Sequence, residues 1–378
     1  MNETWWVKID QLDEKQREIM SELPESELLI VGPPGSGKTN ILMLRANYVR
    51  YVGPRIIFLT FTRSLAEFLR SGASVGRADQ IQRSDIKTFM GWARGLILEH
   101  GGTPPDDSGN FDADRKSMIV ALKDIVDGER LGQLYDFAFI DEVQDFLESE
   151  LTLVRHLAAR INVAGDSRQR IWSHREGLAT AKKLVTKTVE LEKHYRIGEA
   201  ICRFADQVLP PTQGVAPLLE GCNYDEEARP SSVIAMPYNN LTEMFANCLL
   251  AIKEQIRYIT DEPIGVLAWR NEDLDHFWDA LVSDGELLNV AIRQRQSDYE
   301  EFTPDSRIRV MTVHSAKGAE FRAVHILRAE TFSTRNRELA FTAVTRAKTE
   351  VLLYHVAALQ GHMVPSQGEL PTNLSSIF

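Results

Sequence analysis

The chain has 378 residues, 43% of them hydrophobic, and a formal net charge of −11. That length is long for one ordinary domain and suits two of about 100–200 residues each. No apolar run approaches the ~20 residues of a membrane helix, and the acidic, polar start MNETWWVKIDQLDEKQ lacks the basic and apolar stretches of a secretory signal. The cysteines, Cys202, Cys222 and Cys248, fit no zinc spacing and, being odd in number, no disulfide scaffold, so a reducing, cytoplasmic setting is expected. Acidity counts only weakly against nucleic-acid binding, because the charge is uneven. Residues 160–196 and 305–348 each carry nine Lys/Arg against four Asp/Glu, whereas 141-DEVQDFLESE-150 is acidic. On charge alone the basic stretches read equally well as solvated faces.

In chain order, the first strong pattern is an apolar strand at Leu28–Val31, followed by a glycine loop and a helical pattern in 40-NILMLRANYVR-50. A second strand falls at Ile56–Thr60. Helices follow near 90–100 and 115–126, separated by the turn-rich 101-GGTPPDDSGN-110. Further strands are expected at Phe137–Ile140, Ile161–Ala164, Ile264–Trp269, Ile308–Val313, Val324–Leu327 and Val351–Tyr354, with helical patterns between them. Such alternation implies an α/β chain of parallel sheets with helices on both faces. The stretch 220-EGCNYDEEARP-230 reads as an exposed acidic loop, and 359–378 as a poorly ordered or partner-bound tail.

The loop after the first strand is Gly32-x-x-x-x-Gly37-Lys38-Thr39, a phosphate-binding loop in strand–loop–helix context. Its glycines, Gly32, Gly35 and Gly37, with Ser36, turn the backbone so that N–H groups face phosphate oxygens, and the helix N-terminus adds positive potential. Lys38 supplies a full charge to the β- and γ-phosphates, and Thr39 a hydroxyl to Mg²⁺. A hundred residues on, Asp141 follows an apolar strand, at the edge where open α/β sheets bind ligands. Beside such a loop it is the expected second metal ligand. Glu142 is then placed to orient or deprotonate an attacking water. Taken alone, the same stretch would also pass for an acidic loop after a core strand.

The form DE-x-QD, with the strings around it, resembles the UvrD/Rep group of superfamily 1 helicases. The similar segments run in family order from about residue 10 to 354. The resemblance implies two RecA-like domains with ATP in the cleft between them. In 12-LDEKQREIM-20, Gln16 would contact adenine. In 56-IIFLTFTRSLAEFL-69, Phe61 would touch a base, and Thr88 would be a further strand contact in 88-TFM-90, where Met90 stands in place of the family's histidine. In 161-INVAGDSRQRIW-172, Gln169 would sense the γ-phosphate, with Trp172 and Arg175 next to the nucleic acid and His174 where the family has an aromatic. In 191-LEKHYRIGEAICRFA-205, Tyr195 would stack on adenine and Arg196 reach the γ-phosphate. In 310-VMTVHSAKGAEF-321, His314 would meet the strand and Glu320 the ribose. In 339-LAFTAVTRAK-348, Arg346 would be the arginine finger. Phe61 and Trp172 also read as core aromatics.

The family carries an accessory domain inserted in each motor domain. Here the insertion sites, about 87–135 and 282–306, are too short for one. The expected organisation is therefore 1–185 and 186–358 as two motor domains, with 359–378 as a tail. The resemblance implies an ATP- and Mg²⁺-dependent ATPase that moves 3′ to 5′ along single-stranded DNA, closing its domains on ATP, with RNA left open. A protein partner such as a nuclease or effector, in DNA repair or phage defence, would suit so reduced a motor. The altered strand contacts keep a second reading open: an ATP-hydrolysing switch subunit that gates such a partner.

Overall fold

The computed structural model describes residues 9–53, 55–73, 80–166, 168–169, 176–295, 302–303 and 305–366. The chain forms two compact units that divide between Leu191 and Glu192, except that Pro33–Ser36 of the glycine loop are grouped with the second. The first is built from Glu14–Ser21 (α1), Leu28–Val31 (β1), Lys38–Val49 (α2), Ile56–Thr60 (β2), Arg63–Gly72 (α3), Ile86–Thr88 (β3), Phe89–Glu99 (α4), Phe111–Gly128 (α5), Tyr135–Ile140 (β4), Glu148–Leu157 (α6), Ala158–Gly165 (β5), Gly177–Leu184 (α7) and Lys187–Glu190 (β6). Its six strands are parallel, in the order β3-β2-β4-β5-β1-β6. The unit runs past the expected boundary at 185 because β6 pairs with β1, Val189 opposite Ile30.

Both faces of this sheet are covered, which is why its central strands read as unbroken apolar runs. Leu29, Ile57, Leu59, Ala138, Ile140 and Val163 face Trp92, Leu96, Leu122 and Leu151. Their neighbours Leu28, Ile30, Ile56, Phe58 and Phe139 face Ile41, Leu42, Leu65 and Leu69. Arg45 pins α2 to β5: its buried guanidinium donates to Asn162 Oδ1 at 2.8 Å, Leu23 O at 2.7 Å and Ser26 O at 3.1 Å. The segment between β3 and β4 consists of α4 and α5, in line with a short first insertion site.

The second unit contains Glu199–Val208 (α8), Ser232–Pro237 (β7), Leu241–Tyr258 (α9), Ile264–Ala268 (β8), Asn271–Asp284 (α10), Ala291–Arg293 (β9), Ile308–Thr312 (β10), Phe321–Ile326 (β11), Arg337–Val344 (α11) and Ala347–His355 (β12). The strands are again parallel, in the order β7-β12-β11-β8-β10-β9. Gly265 on β8 is required by packing, since a Cβ there would meet the Phe321 ring at 2.7 Å. The acidic loop at 220–230 has a structural duty: the Glu226 carboxylate accepts from the backbone N–H groups of Glu199 and Ser231, at 2.5 and 2.7 Å, at the start of α8.

His325 lies fully buried in β11, with Nδ1 2.8 Å from the Tyr354 hydroxyl and Nε2 2.7 Å from Gln255 Oε1. Burial pushes its pKa down from 6.5 to about 3. The unfolded chain therefore takes up this proton first as pH falls. Stability is lost between about pH 6.5 and 3, by at most about 1.4 kcal/mol per pH unit from this group. Chemical denaturation at a series of pH values should show that slope in the wild type and a shallower one in His325→Gln.

Candidate active site

The phosphate-binding loop leaves β1 at Val31. Gly35 and Gly37 hold φ of 79° and 82°, the left-handed region that side chains resist, and α2 begins at Lys38. Lys38 Nζ donates to Gly32 O at 2.7 Å, folding its ammonium over the loop. Gln16 sits alongside, with Nε2 3.0 Å from where a Cβ on residue 37 would stand. A reciprocal capping box orients it: Gln16 N donates to Asp13 Oδ1 at 2.8 Å and Gln16 Oε1 accepts from Asp13 N at 3.2 Å. Ser36 is buried within the loop.

Asp141 emerges from the carboxyl end of β4, with β5 between it and β1. Thr39 Oγ1 nevertheless donates to Asp141 Oδ2 at 2.7 Å, so the two expected metal ligands meet. Asp141 is 1% exposed, and its carboxyl is pushed up to about 7, by burial first and then by the charge of Glu142. A hydroxyl and a buried carboxylate form a hard-oxygen donor set that fits Mg²⁺. Mg²⁺ bound there would neutralise charge on the phosphates. Asp166, at the end of β5, is also pushed up by burial, with Lys38 opposing the shift.

Glu142 adopts a left-handed backbone, φ 54° and ψ 42°, which costs a non-glycine residue about 1–3 kcal/mol. Its N–H donates to Asp141 Oδ1 at 2.9 Å. Its carboxylate accepts from Gln144 Nε2, while Gln144 Oε1 accepts from Asp166 N at 3.0 Å. One buried carboxamide thus ties the candidate base to the end of the neighbouring strand. In the sequence Gln144 is only a letter of DE-x-QD; an amide between two acidic positions is the one signal for it. Gln169 lies buried three residues beyond Asp166.

In the second unit, Arg196, Glu320 and Arg346 come together at the amino ends of β11 and β12. Arg196 Nη1 pairs with Glu320 Oε1. Lys348 Nζ lies 3.8 Å from Glu320 Oε2 and 2.5 Å from Glu262 Oε2. Arg346 is 3% exposed and donates to Thr342 O at 3.2 Å and Ala319 O at 3.4 Å. The separate roles expected of Arg196 and Glu320, γ-phosphate and ribose, here fall on two partners of one ion pair. Tyr195 is 36% exposed, and His314 is half-buried beyond the carboxyl end of β10, at the opposite edge of the sheet.

Of the strand-contact residues, Phe61 packs edge-on to Phe111 and Phe146, with ring centroids 5.7 and 6.4 Å away, and the Arg115 guanidinium lies 5.0 Å from its ring centre. Thr88 is the N-cap of α4, its hydroxyl accepting from Gly91 N at 3.1 Å. Phe61 thus serves the core packing that its sequence also allowed, and Thr88 has a capping role that its sequence did not disclose. Trp172, His174 and Arg175 lie outside the described residues.

A glycine loop with Lys38 and Thr39, next to Asp141 and Glu142 on a parallel sheet, has the geometry expected of a P-loop nucleotide site. Comparison with known proteins agrees. Residues 16–175 match the AAA domain family, and residues 307–354 match the UvrD-like helicase C-terminal domain. A curated relative, the probable DNA helicase of Mycoplasma pneumoniae, is 24% identical over 249 residues, covering 58% of this chain and 44% of the relative. The chain thus spans less than half of that relative's length. A solved structure, the C-terminal domain of a possible DNA helicase from Lactobacillus plantarum WCFS1, is 20% identical with a TM-score of 0.32, covering 48% of this chain and 96% of that one. These matches make the chain similar, over its first unit and over part of its second, to UvrD/Rep-like superfamily 1 helicases.

Loss of the candidate base in Glu142→Gln should lower kcat for ATP hydrolysis by about 10²–10⁴, with nucleotide binding retained. Gln144→Leu leaves Glu142 present but untethered. In steady-state assays its kcat should fall about ten- to a hundredfold, a part of that general-base contribution, with the KM for ATP little changed. A Gln144→Leu enzyme with wild-type kcat contradicts the positioning role.

Proposed function

We propose that the chain is an ATP-dependent translocase or helicase on single-stranded DNA, working with a protein partner. The Thr39–Asp141 contact beside Glu142 carries this reading, set in a family whose curated relative is described as a probable DNA helicase. Lys38 and the loop N–H groups would hold the β- and γ-phosphates of ATP, Thr39 and Asp141 the Mg²⁺, and Glu142 the proton of the attacking water. Arg196 and Arg346 belong to the other unit. An arginine finger contributes about 10³–10⁵ in rate where it reaches the γ-phosphate. The basic stretches 160–196 and 305–348 supply charge for a phosphate backbone.

A specific observation favours the alternative, an ATP-hydrolysing switch subunit that gates a nuclease or effector: Phe61 and Thr88 are occupied in core packing and helix capping. Steady-state ATP hydrolysis with and without single-stranded DNA or RNA, at low and moderate salt, separates the readings. A translocase shows strong stimulation by DNA that falls steeply as salt rises, since phosphate contacts release counterions. Measurable hydrolysis that no strand stimulates supports the switch subunit, and stimulation by RNA alone reassigns the track.

A further inference from the structure

Immediately before Tyr195 the chain places an imidazole between two thiols. His194 and Cys202 are fully buried and Cys222 partly so, and their ligating atoms all lie within 4.8 Å of one another. Cys202 Sγ is 3.7 Å from His194 Nε2. The Sγ atoms of Cys202 and Cys222 approach the same acceptor, Ile197 O, at 3.5 and 3.4 Å. Three separate pieces of chain contribute. His194 comes from the segment entering the second unit, Cys202 from α8, and Cys222 from the turn that pairs with His194. That pairing is backed by His194 N to Gly221 O at 2.9 Å and Asn223 N to His194 O at 2.8 Å. Gly221 permits the approach, since a Cβ there would fall 2.2 Å from Glu192 O.

Zinc binds sulfur at about 2.3 Å and imidazole nitrogen at about 2.0–2.1 Å, which in a tetrahedron puts the donors roughly 3.5–3.8 Å apart. The cluster already holds one such separation and needs shifts of about an ångström or less for the rest. Sulfur and imidazole donors select zinc-like ions over Mg²⁺ or Ca²⁺. We propose that His194, Cys202 and Cys222 form a zinc site, distinct from the Mg²⁺ ligands Thr39 and Asp141. A bound ion replaces the present contact of His194 Nε2 with Leu218 O at 2.8 Å and leaves the fourth position to water or the Ile197 carbonyl. Its effect is to staple the chain carrying Tyr195 and Arg196 to α8 and the 218–223 turn. The cysteine spacing hid the site, because a strand-like bridge, a helix and a turn supply the three ligands.

The test uses the full chain, purified under reducing conditions and stripped with a chelator. Titration with Co²⁺ should show one equivalent bound, with thiolate-to-metal charge-transfer absorption that Zn²⁺ abolishes. Cys202→Ser and Cys222→Ser should lose that absorption, and Cys248→Ser should keep it. A folded wild-type chain without thiolate bands, or bands that survive in both serine variants, overturns the site. If the variants fail to fold, native mass spectrometry of the wild type decides. One zinc per chain supports the proposal, whereas a metal-free chain lighter by two hydrogens, with Cys202 joined to Cys222, replaces it with a disulfide pair. Because the readout is metal binding, neither result bears on the ATPase assignment.

Discussion

The hydrogen bond from Thr39 to Asp141 joins loops leaving two strands that are not neighbours: β5 separates β1 from β4. It can form only because all three strands run parallel and end at one edge, with Leu29 opposite Val163 and Ile140 opposite the same Val163. Burial of both faces of the sheet leaves that edge as the place where polar groups emerge. The same burial raises the Asp141 carboxyl and makes a cation the natural way to keep it ionised. Lys38 lies beside this bond, and Glu142, Gln144 and Asp166 follow from Asp141 as a chain of hydrogen bonds.

The second sheet uses its edges differently. Arg196, Glu320, Arg346 and Lys348 gather where β11 and β12 begin, while His314 follows the end of β10. Phosphate-seeking cations are thereby grouped at one edge, and the residue expected to meet a strand stands at the other. The ion pair of Arg196 with Glu320 keeps a guanidinium in place that would otherwise lose conformational freedom on meeting a ligand. If the zinc site is occupied, the same segment is held from behind through His194.

Much of the fold could be read from the sequence, and what was missed has a common cause. All eight strands expected from apolar runs are present, each internal to its sheet. The four unanticipated strands, β3, β6, β7 and β9, are the sheet edges. An edge strand is covered on fewer sides, so a stretch such as KTVE, with only Val189 buried, carries no apolar run to notice. At the site, glycine spacing and the acidic pair pointed to Lys38, Thr39, Asp141 and Glu142, because such motifs are written in local chain geometry. Gln144 and the His194–Cys202–Cys222 cluster depend on residues brought together by tertiary packing, which spacing does not encode. Phe61 and Thr88 show the converse: an aromatic and a hydroxyl in a familiar string can serve packing and capping as well as a ligand.

The central claim is that nucleotide at Lys38 and a nucleic-acid strand bind to one coupled system. The direct measurement is the affinity of fluorescent single-stranded DNA for the chain, with and without Mg²⁺ and a non-hydrolysable ATP analogue, in wild type and Lys38→Ala. Coupled sites shift each other's affinity, typically by about 5- to 150-fold. Such a shift is expected in the wild type and none in Lys38→Ala; equal affinities with and without nucleotide in the wild type contradict the coupling.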